Sequence, residues 1–369
     1  MFVLFQVLAQ AHTGPGGFSR FLVAPEVDRH KRIGRERHDV ARSVAQQLEQ
    51  LVEPVVAVFL YVGLPGSILC EKAVDPACRL NCGICFSANP HPVRALRLMT
   101  LTRTALFVTL VGLALYAGAL AWLWLRQEKL LFAPTVLPAS QPLAQAPDIH
   151  EVAIDVPGAR LSALHLRLPQ PKGVVFFLHG NGGSLATWFV NPEYYRRVNF
   201  DLFMIDYRGF GKSTGQIESE AQLRADVSAA WATVSGQYVG RKIVIYGRSL
   251  GSGLAAGLAA DLSVGNVPDL TVLVSPYRSM AALAVEHYAW VPQAVLRYPM
   301  RTDALIGRIR SPLLLVHGER DLLIAPSHSE ALKALAPQAT LLRVPGAGHN
   351  DLQEFDVYLG AFAGALLAL

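Results

Sequence analysis

Five short, uncharged apolar runs most constrain the fold of this chain. They lie at residues 174–178, 202–205, 243–246, 270–274 and 313–316. Runs of four or five such residues suit strands that are buried on both faces. Helical patterns at 219–235, 250–261 and 327–335 alternate with these runs. The alternation predicts an α/β fold with a mostly parallel central sheet and helices on both faces, entered through an antiparallel hairpin at 152–156 and 161–167.

A serine in a glycine-rich turn is the first candidate for chemistry. Ser249 lies in the pattern G-x-S-x-G, directly after the apolar run KIVIY and before the small-residue stretch SGLAAGLAA. A nucleophile elbow has this strand–turn–helix form, and its tight turn requires small residues beside the serine. Gly247, Gly251 and Gly253 meet that requirement. Ser249 is therefore the predicted nucleophile, and a glycine-rich packing turn is the alternative.

A second glycine loop, HGNGG at residues 179–183, follows the apolar run VVFFL. Acyl transfer needs N–H donors that point at the oxyanion of the transition state. One donor usually comes from the residue after the nucleophile and the other from the loop after the third strand. Leu250 and Asn181 are the predicted donors of this oxyanion hole. An ordinary glycine turn is the alternative for residues 179–183.

An aspartate and a histidine complete a predicted catalytic triad. Asp321 lies in HGERD after the run LLLVH, where a loop following the seventh strand delivers an acid, and Glu319 is its rival. A buried acid holds the catalytic histidine in the right tautomer. His349, in the loop GAGHN before the last helix, is the predicted general base. His179 and His317 each end a strand beside a glycine and are predicted to be structural.

Several motifs together carry a resemblance to a known family. They are LLFAP at 130–134, HGNGG, DYRGFGKS at 206–213, GRSLG, SPY at 275–277, HGERD and GAGHN. The order Ser, Asp, His is also that of α/β-hydrolases. Residues 130–369 resemble a membrane-anchored α/β-hydrolase of the bud-emergence-protein type, related to serine-aminopeptidase-like hydrolases and protein depalmitoylases. The resemblance implies an α/β-hydrolase fold, a serine hydrolase acting on esters, thioesters or amides, and a bracing role for residues 206–213.

The motifs and the resemblance predict one mechanism. Ser249 attacks an acyl carbonyl while His349 takes its proton and Asp321 orients His349. The two backbone N–H groups stabilise the oxyanion, and water then cleaves the acyl-enzyme. This chemistry needs no metal and no organic cofactor. The segment at residues 277–310 is predicted to form a small cap suited to an apolar acyl chain. Plain helical packing over the sheet is the alternative.

Residues 104–125 form a stretch without a charged residue. At about 1.5 Å per residue, a helix of this length spans the ~30 Å hydrocarbon core of a bilayer. Trp122 and Trp124 fit an interfacial aromatic belt. We predict one transmembrane helix here, with a buried core helix as the alternative, and the excess of basic residues before it favours an extracytoplasmic enzyme. Residues 134–148 hold four prolines and predict a stiff tether, and 149–369 form the predicted hydrolase domain.

Residues 1–98 have no steady period and hold all the cysteines of the chain, at Cys70, Cys78, Cys82 and Cys85. The last three have the spacing of a radical-SAM iron–sulfur motif, but no barrel-type domain follows them. A zinc site is the other metal interpretation, and neither is adopted. Met99 begins a short basic segment directly before the apolar stretch. We therefore hypothesise that residues 1–98 are an extension foreign to the natural protein.

Composition narrows the remaining function classes. Hydrophobic residues make up 52% of the chain, which excludes a disordered polypeptide, and a net charge of +5 does not indicate nucleic acid as a partner. The predicted function is a membrane-anchored serine hydrolase that cleaves an ester or thioester of a small acyl or lipid-like substrate. One alternative is a serine peptidase of the aminopeptidase type, in which Glu286 holds a free amine. The other is a hydrolase-fold scaffold without catalysis.

Overall fold

The computed structural model describes residues 91–262 and 266–369. Of these, Leu106–Leu369 belong to one compact unit and residues 91–105 to another. The predictions for the four cysteines, and for most of residues 1–98, lie outside the described residues.

Eight strands form one sheet. They are β1 (Ile149–Val156), β2 (Ala159–Leu166), β3 (Gly173–Leu178), β4 (Phe200–Ile205), β5 (Lys242–Arg248), β6 (Leu270–Val274), β7 (Leu313–Gly318) and β8 (Thr340–Val344). Their order across the sheet is β8-β7-β6-β5-β3-β4-β2-β1. β2 pairs antiparallel with β1 and β4, and every other pairing in the sheet is parallel. The predicted mostly parallel sheet is confirmed.

Helices cover both faces of this sheet. They are α1 (His91–Leu131), α2 (Leu185–Trp188), α3 (Pro192–Val198), α4 (Glu220–Ser235), α5 (Leu250–Leu262), α6 (Met280–His287), α7 (Thr302–Leu305), α8 (Ser327–Leu335) and α9 (Asp356–Leu367). Alternate residues of β3 divide between two cores: Phe176 belongs to the core that includes residues of α4, α5 and α8, whereas Val175 belongs to the core that includes residues of α3 and α9. This alternation is what a strand buried on both faces requires.

The parallel strands end at one edge, and the loops at that edge carry the motifs. In an open α/β sheet, ligands bind in the crevice at the carboxyl ends of the strands. β3 leads into the HGNGG loop, β5 into the serine turn, and β7 into the HGERD loop. The segment between β6 and β7, where a cap is predicted, contains α6 and α7 with 3-10 turns at Gln293–Val295 and Ile306–Arg308.

α1 contains the predicted membrane span. Its segment Arg97–Leu131 is long and apolar enough to cross a bilayer, and its most apolar window is unburied. After α1 the chain returns to the sheet edge: Ala133–Pro134 pairs in parallel with Gly182–Gly183, and Val136 bridges to Gly211. The first residues of the predicted tether are thus bonded to the domain.

Candidate active site

Ser249 occupies the turn between the end of β5 and the start of α5. Its φ is 53°, in the left-handed region that side chains with a Cβ rarely adopt. Its N–H donates to the carbonyl of Val274 at 2.9 Å. A Cβ on Gly247 would lie 2.3 Å from the carbonyl oxygen of Gly251, and one on Gly251 would lie 2.0 Å from that of Leu178. The glycines of the motif therefore permit close packing of strand, turn and helix.

His349 connects the serine to an acid. Its Nε2 is 3.0 Å from Oγ of Ser249, and its Nδ1 is 2.7 Å from Oδ2 of Asp321. The His349 side chain is 11% exposed, whereas the Asp321 side chain is fully buried. The structure thus joins in one hydrogen-bonded chain the three residues for which the sequence predicts catalytic roles.

The buried carboxylate of Asp321 is held from several sides. Its Oδ1 accepts hydrogen bonds from the N–H groups of Leu323 at 3.0 Å and Ile324 at 2.8 Å. Burial by itself would raise the pKa of Asp321, but the neighbouring His317 and His349 and these N–H groups outweigh burial and hold that pKa well below its ordinary value. Asp321 therefore stays ionised and accepts a hydrogen bond from Nδ1–H of His349.

The two histidines predicted to be structural have other partners. In His317, Nδ1 lies 2.6 Å from Oγ of Ser329 and Nε2 lies 2.8 Å from the carbonyl of Ile324. In His179, Nδ1 lies 2.7 Å from the carbonyl of Gly180. Both side chains are fully buried, so they fasten strand ends to the loops around them.

The rival acid Glu319 lies at the surface. Its carboxylate is 3.4 Å from Nε of Arg343, and its side chain is 38% exposed. Its distance from Arg343 and its exposure fit an ordinary surface ion pair, which contributes little to stability. Asp321, in contrast, is hydrogen-bonded to His349, which favours it over Glu319 as the acid of the predicted triad.

The two predicted oxyanion donors lie beside the serine. Leu250 is the first residue of α5, and the N–H groups of a first helical turn point out of the helix without a partner inside it. Asn181 is fixed on the other side, because its carbonyl accepts from the N–H of Ala133 at 2.8 Å and its Nδ2 donates to the carbonyl of Leu131 at 3.0 Å. Both residues line a pocket with Ser249.

That pocket has an apolar wall. Besides the residues at its polar end, it is lined by side chains from α1, α6 and the loop after β7, among them Leu131, Met280, Leu283, Leu323 and Ile324. Aliphatic surface of this kind favours a hydrocarbon chain over a charged group. Among the described residues that line the pocket, none is acidic.

The loop after β4 braces the glycine loop, as the resemblance implies. Oδ1 of Asp206 accepts from the N–H of Leu185 at 2.9 Å, and the hydroxyl of Tyr207 donates to the carbonyl of His179 at 2.8 Å. The Ser213 hydroxyl donates to the carbonyl of Asp206 at 2.8 Å. These bonds tie residues 206–213 to the HGNGG loop and to the start of α2.

Sequence reasoning missed Arg248, the variable residue of the serine motif. Its Nη2 donates to the carbonyl of His349 at 3.0 Å, and its Nη1 donates to Oε1 of Gln353 at 2.9 Å. Its guanidinium also lies 5.6 Å from the ring centre of Trp188. Arg248 thus holds the histidine loop against the serine turn. The available signal was a charged residue at the variable position of the motif. The partners of Arg248 lie about a hundred residues away in the sequence.

Within residues 91–262 and 266–369, no group of three or more His, Cys, Asp or Glu side chains is arranged to hold a metal ion.

Family models and known sequences match this chain. Residues 169–302 match a family described as serine aminopeptidase, and residues 274–356 match the alpha/beta hydrolase fold. An uncharacterized protein of Mycobacterium tuberculosis is 30% identical over 270 residues, which cover 70% of this chain and 93% of that protein. The alpha/beta hydrolase domain-containing protein 17B of Homo sapiens is 32% identical over 214 residues, which cover 55% of this chain and 69% of the relative.

Solved structures show the same fold. An esterase of Pyrococcus furiosus superposes with a TM-score of 0.51 at 19% identity, covering 64% of this chain and 97% of the esterase. An alpha-beta hydrolase of Vibrio vulnificus gives a TM-score of 0.50 at 21% identity, covering 59% and 81% of the two chains. At these identities the likeness concerns the fold alone.

Proposed function

Because the chain belongs to the α/β-hydrolase family, we propose that it is a serine hydrolase with Ser249, His349 and Asp321 as its catalytic triad. The observation that carries the proposal is the continuous chain of hydrogen bonds, 3.0 Å from Ser249 to His349 and 2.7 Å from His349 to Asp321. A hydroxyl is a weak nucleophile at neutral pH, and an adjacent base that is itself oriented by an acid activates it.

The reaction proceeds in two stages. In the first, Oγ of Ser249 attacks the acyl carbonyl and passes its proton to Nε2 of His349, which then donates it to the leaving group. In the second, His349 takes a proton from water, the hydroxide formed cleaves the acyl-enzyme, and His349 returns the proton to Oγ of Ser249 as the acid product leaves. Asp321 stabilises the imidazolium in both stages because its own carboxylate remains ionised.

The N–H groups of Leu250 and Asn181 form the proposed oxyanion hole. Leu250 begins a helix, where the partial positive charge of the helix terminus adds to the effect of its N–H. Asn181 is held by one hydrogen bond to Leu131, the last residue of α1, and by another to Ala133 after it, so its loop is positioned before the substrate arrives. Donors that need no rearrangement stabilise developing charge most effectively.

The proposed substrate is an ester or thioester of an apolar acyl group. The wall built by Leu131, Met280, Leu283 and Leu323 supports this choice, since it offers hydrocarbon contacts next to the nucleophile. The leaving group is an alcohol or a thiol. No metal or organic cofactor takes part in the proposed chemistry.

The aminopeptidase alternative receives less support, although one family model carries that name. A peptidase of this kind requires a carboxylate that is available to hold a free amine, and Glu286 is the acid that the sequence offers. Oε2 of Glu286 lies 2.9 Å from Nε2 of the buried His328. His328 is in turn fixed by the N–H of Arg278 at 3.1 Å. The carboxylate is therefore engaged with a histidine behind α6.

We also propose that residues 104–125 anchor the enzyme in a membrane as a single span, with residues 134–148 leading into the catalytic domain at 149–369. The length and composition of the helix support the anchor. The basic residues before the span favour an extracytoplasmic catalytic domain. A substrate with an apolar acyl group is consistent with an enzyme held at a membrane.

Labelling with a fluorophosphonate probe tests the activated serine. Membranes containing the full chain are treated with the probe, and wild type is compared with Ser249→Ala and with Ser228→Ala. Ser228 is an exposed serine of α4 and serves as the matched control. We expect labelling of wild type and Ser228→Ala and its loss in Ser249→Ala. Labelling that persists in Ser249→Ala, or a folded wild type that does not react, would contradict the proposal.

A panel of p-nitrophenyl esters, acyl thioesters and aminoacyl amides then separates the substrate classes. We expect turnover of the esters or thioesters, rising with acyl length while the chain still fits the pocket. Preferential turnover of aminoacyl amides would support the peptidase instead.

A further inference from the structure

One face of α1 follows the segment between β6 and β7. Gln127, which is 3% exposed, makes two hydrogen bonds to backbone atoms of this segment. Its Nε2 donates to the carbonyl of Val295 at 2.8 Å, and its Oε1 accepts from the N–H of Arg297 at 2.7 Å. A side-chain amide satisfied in this way fixes both the position and the rotation of the helix.

Charged and aromatic contacts surround this amide. The Glu128 carboxylate lies 2.5 Å from Nη1 of Arg297 and accepts the hydroxyl of Tyr298 at 2.9 Å. The guanidinium of Arg297 also lies 5.0 Å from the ring centre of Trp124. The end of α1 is therefore joined to the segment between β6 and β7 by several independent interactions.

The contact continues inside the uncharged stretch. The hydroxyl of Tyr116 donates to the carbonyl of Trp290 at 2.9 Å, and the two rings meet edge to face at 6.5 Å. Leu120 and Leu123 are half-buried and lie on the helix face shared by Tyr116 and Gln127, at spacings of three and four residues. Tyr116 precedes residue 125 by nine residues, a rise of about 14 Å. Trp290 thus lies beside a part of α1 that the membrane surrounds.

Three exposed apolar side chains lie near this contact; we call them the cap edge. They are Val285, Trp290 and Leu322, with exposed fractions of 46%, 48% and 86%. Val285 and Trp290 flank His287, whose Nε2 donates to the carbonyl of Leu323 at 3.1 Å, next to Leu322. The ring of Trp290 meets that of Tyr116 on α1, whose neighbouring apolar side chains are exposed, and this contact favours lipid as the material that covers the cap edge.

The pocket lies near the outer boundary of the headgroup region of the membrane. Leu131, in the pocket wall, follows residue 125 by six residues, a rise of about 9 Å. The headgroup region on each side of a bilayer is roughly 5–8 Å thick. The ester carbonyl of a membrane lipid lies at the inner boundary of that region, so the acyl group has to rise by about 9 Å to reach the pocket wall.

We propose that the cap edge is inserted in the membrane that α1 spans, and that the pocket takes its acyl chain directly from the lipid phase. The substrate class is an ester or thioester whose acyl chain resides in the bilayer. The insertion rests on the proposed anchor, and this substrate class rests on the proposed serine hydrolase. A chain taken from lipid is not transferred through water, a step whose free-energy cost grows with each CH₂ group.

The depth of the cap edge is measured with a nitroxide label on Trp290→Cys. The native cysteines are replaced through Cys70→Ser, Cys78→Ser, Cys82→Ser and Cys85→Ser. The full chain is then placed in phosphatidylcholine–phosphatidylglycerol vesicles. Val239→Cys is the control, because Val239 is an exposed apolar residue (85%) at the opposite edge of the sheet. We expect oxygen to relax the label at 290 more than a water-soluble nickel chelate does, and the reverse at 239.

A label at 290 that responds like the label at 239 overturns the insertion. If Trp290→Cys does not fold, as judged by its thermal transition, Leu322→Cys takes its place with the same expectation. This readout needs no activity, so it stands even if the proposed serine chemistry fails.

A second arm tests the substrate class with Trp290→Asp. A carboxylate is costly in the membrane interface, so we expect hydrolysis of a dodecanoyl ester in vesicles to fall on the order of tenfold relative to that of a butanoyl ester in solution. An equal loss for both esters would indicate a structural role for Trp290 and overturn delivery from lipid. A wild type that hydrolyses neither ester and resists the fluorophosphonate probe contradicts the proposed function itself.

Discussion

Two histidines face two aspartates at the same edge of the sheet, and they are arranged differently. His349 meets Asp321 at 2.7 Å through Nδ1 and Ser249 at 3.0 Å through Nε2. His179 lies 3.5 Å from Asp206 through Nε2, while its Nδ1 faces the adjacent carbonyl of its own loop. The His349 side chain is partly exposed, whereas that of His179 is fully buried.

The difference teaches what a catalytic histidine needs beyond an acidic neighbour. A general base must have one nitrogen held by the acid and the other within reach of both the nucleophile and the reacting groups. His349 meets these conditions. The ring of His179 is instead enclosed by aromatic groups, stacking on Trp188 at 5.7 Å and lying 4.3 Å from Tyr207. In the proposed mechanism, the same pair of residue types serves catalysis in one loop, while in the other it serves packing.

The largest expected effect comes from replacing each histidine by glutamine. His349→Gln removes the base, so we expect kcat to fall by about 10⁴-fold or more with little change in thermal stability. His179→Gln should lower stability by roughly 1–3 kcal/mol, through lost packing in a buried site, and leave the kcat of the folded enzyme within a few-fold. Ester hydrolysis and thermal unfolding in detergent measure both effects. Comparable activity losses in the two variants would erase the proposed distinction.

A third histidine, His165 in β2, extends the comparison to stability. Burial, with a contribution from Arg167, lowers the pKa of His165 to about 3. In the unfolded chain, this imidazole binds a proton near pH 6.5. Below that pH, protonation therefore stabilises the unfolded state relative to the folded state. The free energy of unfolding should therefore decrease as pH falls from about 6.5 towards 3, by up to about 1.4 kcal/mol per unit.

Thermal unfolding of wild type and His165→Gln at pH 7 and pH 5 checks this dependence. Glutamine offers hydrogen-bonding groups to the Tyr238 hydroxyl, which lies 2.7 Å from Nε2 of His165, but it does not titrate. We expect a smaller difference between the two pH values in the variant. An equal difference in both proteins would assign the acid sensitivity to other groups.

The smallest expected effect concerns Arg248, which bonds the loop that carries His349. Arg248→Lys keeps the charge but removes the fork that bonds both His349 and Gln353. We expect kcat to fall on the order of tenfold and KM to change little, because the loop carrying His349 loses a positioning contact. Gln353→Ala removes one of the two bonds and should have a weaker effect on kcat. A loss confined to KM would contradict a positioning role.

Much of the fold was accessible from the sequence because its signals are local. A short apolar run followed by a glycine turn and a small-residue helix describes β5, Ser249 and α5 without reference to the rest of the chain. The sequence motifs place Asp321 and His349 at strand ends, and the parallel sheet brings those ends together. The triad residues could therefore be nominated before any distance was measured.

What escaped prediction depends on distant partners. Arg248 bonds residues that follow it by about a hundred positions, and Gln127 bonds residues about 170 positions away. The prolines of residues 134–148 indicated an extended link, but an extended chain also presents N–H and C=O groups for pairing. Thr135 uses both of its groups, donating to the carbonyl of Gly183 and accepting from the N–H of Gly211. No local pattern identifies such partners.

The docking of the chain after α1 has a consequence for dissecting this protein. Ala133, Thr135 and Leu137 each donate a backbone hydrogen bond of 2.8 Å to the glycine loops at the edge of the sheet. A shortened, water-soluble form that starts after these residues would lose the segment that supports Asn181. The proposed anchor and the proposed enzyme are therefore not interchangeable parts, and a foreign anchor would preserve this edge of the sheet only if joined upstream of Gln127.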